Sequence, residues 1–307
     1  MGGSRVLLTG ATGFIGRHCV LPLVAGGNEV IATFRTSVPA AVPGVTWIEA
    51  DLLQPGVPES LMRAVRPDLL VHLAWYVEPG KMMDDEVNLR WLAASLDVLR
   101  QFRANGGRRC VVSGSCYEYD WRFGYCSEDL TPTRPDTLYG AAKNSLAETM
   151  LAYCRAVGLS GAWARLFFLY GPHENQRRLV PAVILALLRG EEAKSSHGRQ
   201  VRDYMHVQDA ADGIVALLNS DAQGQFNIAS GDGVPIRAIV ERIGSIVGRT
   251  DLLRIGALPA RPNDVPMVVG DPEKTRRQIG WQAGVDLESG LEMTVEWWRR
   301  QVVEGRT

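Results

Sequence analysis

The chain has 307 residues, enough for one large domain or two unequal ones. Hydrophobic residues make up 46% and charged residues 22%, as in soluble globular proteins, and a net charge of -1 gives no basic surface to attract nucleic acid or an anionic membrane. Five scattered cysteines (Cys19, Cys110, Cys116, Cys126 and Cys154) include no C-x-x-C pair, which argues against a disulfide framework or a zinc site and for a reducing compartment.

Short apolar strands alternate with helical stretches through the first half of the chain. "RVLLTG" reads as a buried strand followed by a helix through about Gly26, and "EVIATF" and "VTWIEAD" as the next two strands. A helix over "PESLMRAVR" leads to a fourth strand, "PDLLVHLAW". A long helix spans roughly Asp84 to Ala104, "RRCVVSGS" is a fifth strand, Leu138 to about Val157 is helical, and "SGAWARLFFLYG" is a sixth strand. This order predicts right-handed crossovers and an α/β fold with a doubly wound parallel sheet. Beyond Gly171 the pattern loosens into helices over "RLVPAVILALLRG" and "PIRAIVERIGSIVG", a strand over "GQFNIAS" and a tail ending in "GLEMTVEWWRRQ". The expected organisation is a dinucleotide-binding domain over 1–170 plus about 207–230, with a smaller C-terminal substrate-binding lobe over 171–206 and 231–307. No apolar run approaches the ~20 residues of a membrane span. The first strand also begins almost at the N-terminus, with no signal peptide ahead of it. A cytoplasmic protein is expected.

Between the first strand and helix lies "GATGFIG", with Gly10, Gly13 and Gly16 three apart. Glycines there permit a tight turn and close backbone approach, and the free N–H groups of a helix N-terminus seat a phosphate. A strand-to-helix junction is the context a dinucleotide fingerprint requires. Gly10, Thr12, Gly13, Phe14, Ile15 and Gly16 are therefore the expected phosphate cradle. NAD binders place an acid at the exit of the second strand. Here Glu29 begins that strand, and its exit carries Arg35 among Thr33, Thr36 and Ser37. A guanidinium there suits a 2′-phosphate, so NADP is favoured, with NAD as the alternative. Asp51 and Leu52, ending the third strand, are expected at the adenine, and Leu73 and Ala74 of "HLAW" at the nicotinamide ribose. His72 is read as a packed core histidine.

"LYGAAK" sets Tyr139 and Lys143 four apart on one helix face. A free phenol, with a pKa of about 10, is a poor proton shuttle at neutral pH, and a nearby ammonium together with a positive nicotinamide ring is expected to lower it. The strand ending in "VVSGSCYEY" supplies the hydroxyls of Ser113 and Ser115.

Together "TGATGFIG", "HLAW", "VVSGSCYEY", "YGAAK", "ARLFFLYGPHEN", "RDYMHVQDAA", "FNIASG", "RPNDV" and "GW" resemble, nearly end to end, the extended short-chain dehydrogenase/reductases of the nucleotide-sugar epimerase/dehydratase group. The resemblance implies a Ser-Tyr-Lys set, mapped to Ser115, Tyr139 and Lys143, with Ser113 the rival serine. It further implies hydride transfer at a sugar carbon, a nucleotide-diphosphate sugar as partner, and a homodimer paired through the two long helices. No metal is expected.

Departures from the group's pattern narrow the reaction. Dehydratases of the group carry an Asp-Glu pair after the catalytic serine or threonine, and here Cys116 and Tyr117 stand there. Members that epimerise at C3 and C5 use a cysteine and a histidine. Cys116 matches, but Arg178 holds the histidine position and His173 is the nearest histidine. The family's substrate-binding asparagine is Phe168 here. What remains is reduction of a 4-keto sugar or 4-epimerisation, with Arg35 favouring an NADPH reductase. A reductase of a non-nucleotide ketone and a non-catalytic dinucleotide sensor are the remaining alternatives. Tyr76, Cys116, Arg178, Arg202 and Arg261 are the substrate-side candidates, with Glu78 and Trp121 as weaker ones. Trp297 and Trp298 read as core or interface.

Overall fold

Residues Arg5–Thr9 form β1, buried over its last four positions because both its faces are covered. The computed structural model describes residues 3–260 and 264–306. Six more strands join β1 in one sheet: β2 (Glu29–Phe34), β3 (Val45–Glu49), β4 (Leu69–His72), β5 (Arg109–Ser115), β6 (Ser160–Leu166) and β7 (Gly224–Ile228). Every pairing in it is parallel, and the order is β7-β6-β5-β4-β1-β2-β3. The winding reverses between β1 and β4. Ligands of open α/β sheets bind in the crevice at such a switch point, beyond the strands' carboxyl ends.

Helices α1 (Phe14–Ala25), α2 (Val57–Val65), α3 (Val87–Ala104), α4 (Leu138–Val157), α5 (Leu179–Leu188), α6 (Val207–Asn219), α7 (Ile236–Val247), α8 (Glu273–Ile279) and α9 (Leu287–Val303) follow in chain order. Cys19, Val20 and Leu23 of α1 and Ala210, Ile214 and Leu217 of α6 bury one sheet face. Leu61 of α2, Val98 and Phe102 of α3, and Leu146 and Met150 of α4 bury the other. The expected doubly wound architecture is present. In the C-terminal lobe α5, α7 and α9 share a core through Ile184, Ile239, Ile243, Leu291 and Trp298. No helix among the described residues is long and apolar enough to cross a membrane.

Three elements depart from the sequence reading. The sixth strand is not continuous: after Leu166 the chain leaves the sheet, and Phe168–Tyr170 pairs with Val201–His206. Val201–His206 was not anticipated as a strand, because the charged Arg202 and Asp203 interrupt its apolar signal. Both are buried there, and Asp203 accepts backbone N–H groups from Ser230, Gly231 and Gly270. Finally, α3 begins at Val87 rather than Asp84, where the Asp85 carboxylate accepts the Val87 N–H at 2.9 Å.

Candidate active site

At the end of β1, Gly10 adopts φ 71°, and a Cβ on it would lie 2.7 Å from the Ala74 nitrogen and 2.8 Å from the Leu73 carbonyl carbon. A Cβ on Gly16 would meet the Gly10 oxygen at 2.2 Å. The turn is thus pressed against both the exit of β4 and the first turn of α1, which only hydrogen side chains allow. Gly13 caps α1 with no side-chain hydrogen bond. The first N–H groups of the helix are thereby left for an anion. This is a cradle of the kind a dinucleotide diphosphate fits.

A cleft of about 990 Å³ opens over the switch point. It runs from Arg35, Thr36 and Ser37 at the exit of β2, past the glycine turn, to Tyr139 and Lys143, and ends against Arg178 and Tyr204. Gly10, Thr12, Gly13, Phe14, Ile15 and Gly16 line it together with Leu52, Leu73, Ala74, Ser113, Ser115 and Cys116. Arg35 is exposed in the cleft wall, whereas Glu29, at the opposite end of β2, pairs with Arg5 at 2.9 Å.

Tyr139 and Lys143 reach the cleft floor because α4 starts against the loop after β5. The Thr137 hydroxyl caps α4 by accepting the Gly140 N–H at 3.1 Å. The Tyr139 N–H donates to the Met83 oxygen at 2.8 Å. Gly140 lets the helix close on that loop, since a Cβ there would sit 2.3 Å from the Tyr117 oxygen. Ser115 neighbours Tyr139 and draws its phenol down, its hydroxyl accepting the Tyr117 N–H at 3.3 Å, and the Lys143 ammonium donates to the Ser113 oxygen at 2.9 Å. Ser113 thus serves Lys143 through its carbonyl, while its hydroxyl is turned to the His72 oxygen at 3.5 Å. In the protein alone, Lys143 is not among the groups that lower the phenol. Burial pushes the Tyr139 phenol up, and the opposing pull comes from Ser115. Burial also lowers Lys143 to about 7, against the raising influence of Glu118.

Several anticipated contacts are corrected. Asp51 lies beyond β3 rather than at its end; it lines the cleft, but its carboxylate also accepts the Leu53 N–H at 3.2 Å. Tyr76 is half-buried against the core shared by α2, α3 and α4 and does not line the cleft, whereas its neighbours Trp75 and Val77 do. Arg202 is not a free cation for a diphosphate. It is buried, ion-paired with Asp264 and bonded to the Val201 and Val265 carbonyls, one layer behind Phe168. Arg261 lies outside the described residues. Glu78 pairs with Arg177, and the Trp121 indole donates to the Cys116 oxygen at 2.7 Å. His72 is buried between the hydroxyls of Thr9 (2.7 Å) and Ser95 (2.9 Å) and is lowered to about 3, so it stays neutral.

Three residues were missed. Trp75 places its ring 4.0 Å from the Lys143 ammonium, a cation–π contact that no local pattern announces. Glu174 lines the cleft almost fully buried, burial raises its carboxyl well above the usual range, and its Oε2 has no hydrogen-bond partner among the described residues. Glu118 stands three residues after Ser115 in a capping box, and that S-x-x-E spacing was the available signal.

Cys116 is buried, and burial holds its thiol well above the usual range, so it is neither nucleophile nor base at neutral pH. Cys116→Ser should therefore retain turnover within about threefold; a drop approaching the ~10²-fold of a lost general acid or base would assign the thiol a chemical role.

The model of the NAD dependent epimerase/dehydratase family matches residues 6–229. The chain is 28% identical to a UDP-glucose 4-epimerase of Corynebacterium glutamicum over 90% of each chain. It is 29% identical to UDP-glucuronic acid decarboxylase 1 of Xenopus tropicalis, over 97% of this chain and 73% of that one. The crystal structure of a Thermus thermophilus UDP-glucose 4-epimerase in complex with NAD superposes with a TM-score of 0.85 at 27% identity, covering 96% of this chain and 99% of that one.

Proposed function

This chain belongs to the NAD-dependent epimerase/dehydratase family, and from that premise we propose that it reduces the 4-ketone of a nucleotide-diphosphate sugar with NADPH. It is an enzyme of the NAD-dependent nucleotide-sugar epimerase/dehydratase type. The observation that carries the finer reading is Arg35, exposed in the cleft at the exit of β2 beside Thr36 and Ser37, where an NAD-specific site would present an acid. A guanidinium with neighbouring hydroxyls recognises a phosphate by charge-assisted hydrogen bonds.

When bound, the nicotinamide cofactor supplies the hydride. Tyr139 delivers a proton to the ketone oxygen, so that hydride and proton together make the alcohol, and the Ser115 hydroxyl holds the same oxygen. Burial keeps the phenol protonated, the form a reduction needs at its start. Lys143 is placed to hold the cofactor ribose and to steady the charge beside Tyr139. Arg178, half-buried at the far end of the cleft, is the cation available to the substrate diphosphate.

The test is oxidation of NADPH and NADH with a nucleotide-diphosphate 4-keto-6-deoxyhexose. The wild type should favour NADPH by tenfold or more in kcat/KM. Arg35→Ala should cut that preference by about 10–100-fold, the weight of one charge-assisted hydrogen bond. An unchanged ratio, or a wild type that prefers NADH, overturns the cofactor assignment. A second reading, 4-epimerisation, is favoured by the UDP-glucose 4-epimerases among the relatives. It requires protein that purifies with cofactor bound and interconverts C4 epimers with none added.

A further inference from the structure

We propose that Glu118 is a positioning residue for the proton-transfer site: its carboxylate, braced by Arg165 and Trp163, anchors the end of β5 that presents Ser115 and holds Lys143. The activity arm of its test rests on the reading above; the titration arm does not.

Glu118 and Arg165 are both 0% exposed. An ion pair taken out of water is a weak source of stability, and an apolar pair would fill a core as well. Here the guanidinium is incompletely served. Its Nε donates to Glu118 Oε2 at 2.7 Å, while both its Nη atoms lack hydrogen-bond partners among the described residues. Its plane lies 4.4 Å from the Tyr119 ring. The bonds of the carboxylate point instead at the site. Oε1 accepts the Ser115 N–H at 2.6 Å, and the Trp163 indole donates to both oxygens at 3.1 and 3.0 Å. Trp163 and Arg165 belong to β6, so the anchor is tied to the sheet.

Gly114 shows how tightly the strand end is drawn onto this clamp. A Cβ there would lie 2.1 Å from the Trp163 indole nitrogen and 2.7 Å from Glu118 Oε1. On either side of Gly114 stand the two groups that matter. The Ser113 carbonyl receives the Lys143 ammonium, and Ser115 stands beside Tyr139, whose phenol it draws down. A single carboxylate therefore sets the position of both.

It also sets a charge. The titratable groups that act on Lys143 are His72 from β4 and Glu118 from the loop after β5, with Arg165 of β6 behind Glu118; Cys116 and Tyr139 line the same cleft. His72 is neutral, and burial keeps the Cys116 thiol and the Tyr139 phenol protonated. Glu118 is the group that favours the ammonium form of Lys143. Removing its charge should move the lysine titration to lower pH.

The experiment uses Glu118→Gln combined with Arg165→Met, so that no unpaired guanidinium is left in the core, and Glu118→Asp as the charge-conserving variant. Lys143 is followed by NMR of lysine ¹³Cε, its signal identified by its loss in Lys143→Met. In the double variant its midpoint should fall by about one pH unit, the smaller end of the effect of a nearby opposite charge, and the alkaline limb of the NADPH-dependent rate should fall with it. Glu118→Asp should keep the midpoint while lowering kcat, because the shorter side chain cannot hold the Ser115 N–H at the same place. An unmoved midpoint in the folded double variant overturns the proposal, as does full kcat in Glu118→Asp. If the wild type reduces no 4-keto sugar, the proposed function fails while the NMR titration still decides the role of Glu118.

Discussion

If the proposed reduction holds, replacing Tyr139 with Phe should lower turnover of the 4-keto sugar by about 10²–10⁴-fold, the contribution usual for a positioned general acid. The substitution removes one oxygen from a ring that is otherwise held by packing. Its centroid lies 5.9 Å from that of Tyr117 and 6.5 Å from that of Trp75, both edge-on. Neither contact uses the hydroxyl, so the fold and the glycine cradle survive. Stopped-flow reduction and cofactor titration separate the two effects: the rate collapses, while the dissociation constant for NADPH changes less than about threefold. NADPH oxidation that persists at the wild-type rate would remove Tyr139 from the chemistry.

Lys143→Met should abolish most of the activity and, at neutral pH, make the protein more stable. Lys143 is 3% exposed, with its ammonium between the Ser113 carbonyl and the Trp75 ring. Burial lowers it from 10.5 in the unfolded chain to about 7 in the folded one. Between those values the unfolded state binds the proton and the folded state releases it, so the lysine's contribution to stability rises with pH across this window. Below about 7 the cost of burying the cation is fully present. Methionine fills a similar volume without the cost of desolvating a cation. Thermal unfolding should show the variant melting several degrees above the wild type at pH 6. The gap should close as pH approaches 10. A variant less stable than the wild type at both pH values would mean that the hydrogen bond and the cation–π contact outweigh desolvation. The catalytic loss follows separately, from a cofactor ribose left without the amine proposed to hold it.

How much of the site could be read in advance depended on how local its signals are. The glycine turn was legible because Gly10, Gly13 and Gly16 each answer a constraint within a few residues or at the next strand exit. Tyr139 and Lys143 were legible because a spacing of four puts two side chains on one helix face. Arg202 misled because its motif is local and its partner is not: Asp264, 62 positions away, takes up its charge. Tyr76 misled because its ring is taken up by packing against residues of α2, α3 and α4, which no local pattern announces. Glu118 left a local trace in its capping box, but its meaning depends on Trp163 and Arg165 of β6, 45 and 47 residues further on.

From the chain's own letters alone came the alternation of strands and helices, the doubly wound sheet, the glycine turn at the first strand exit and the helix face bearing phenol and amine. These are matters of period and spacing, governed by backbone geometry within a turn or two. Only the folded molecule decided which arginines remain available to an anion, which carboxylate braces the strand end, and how far burial moves Tyr139 and Lys143 from their ordinary proton affinities. Charge pairing and desolvation depend on what surrounds a group in space, and here those surroundings come from segments tens of residues apart.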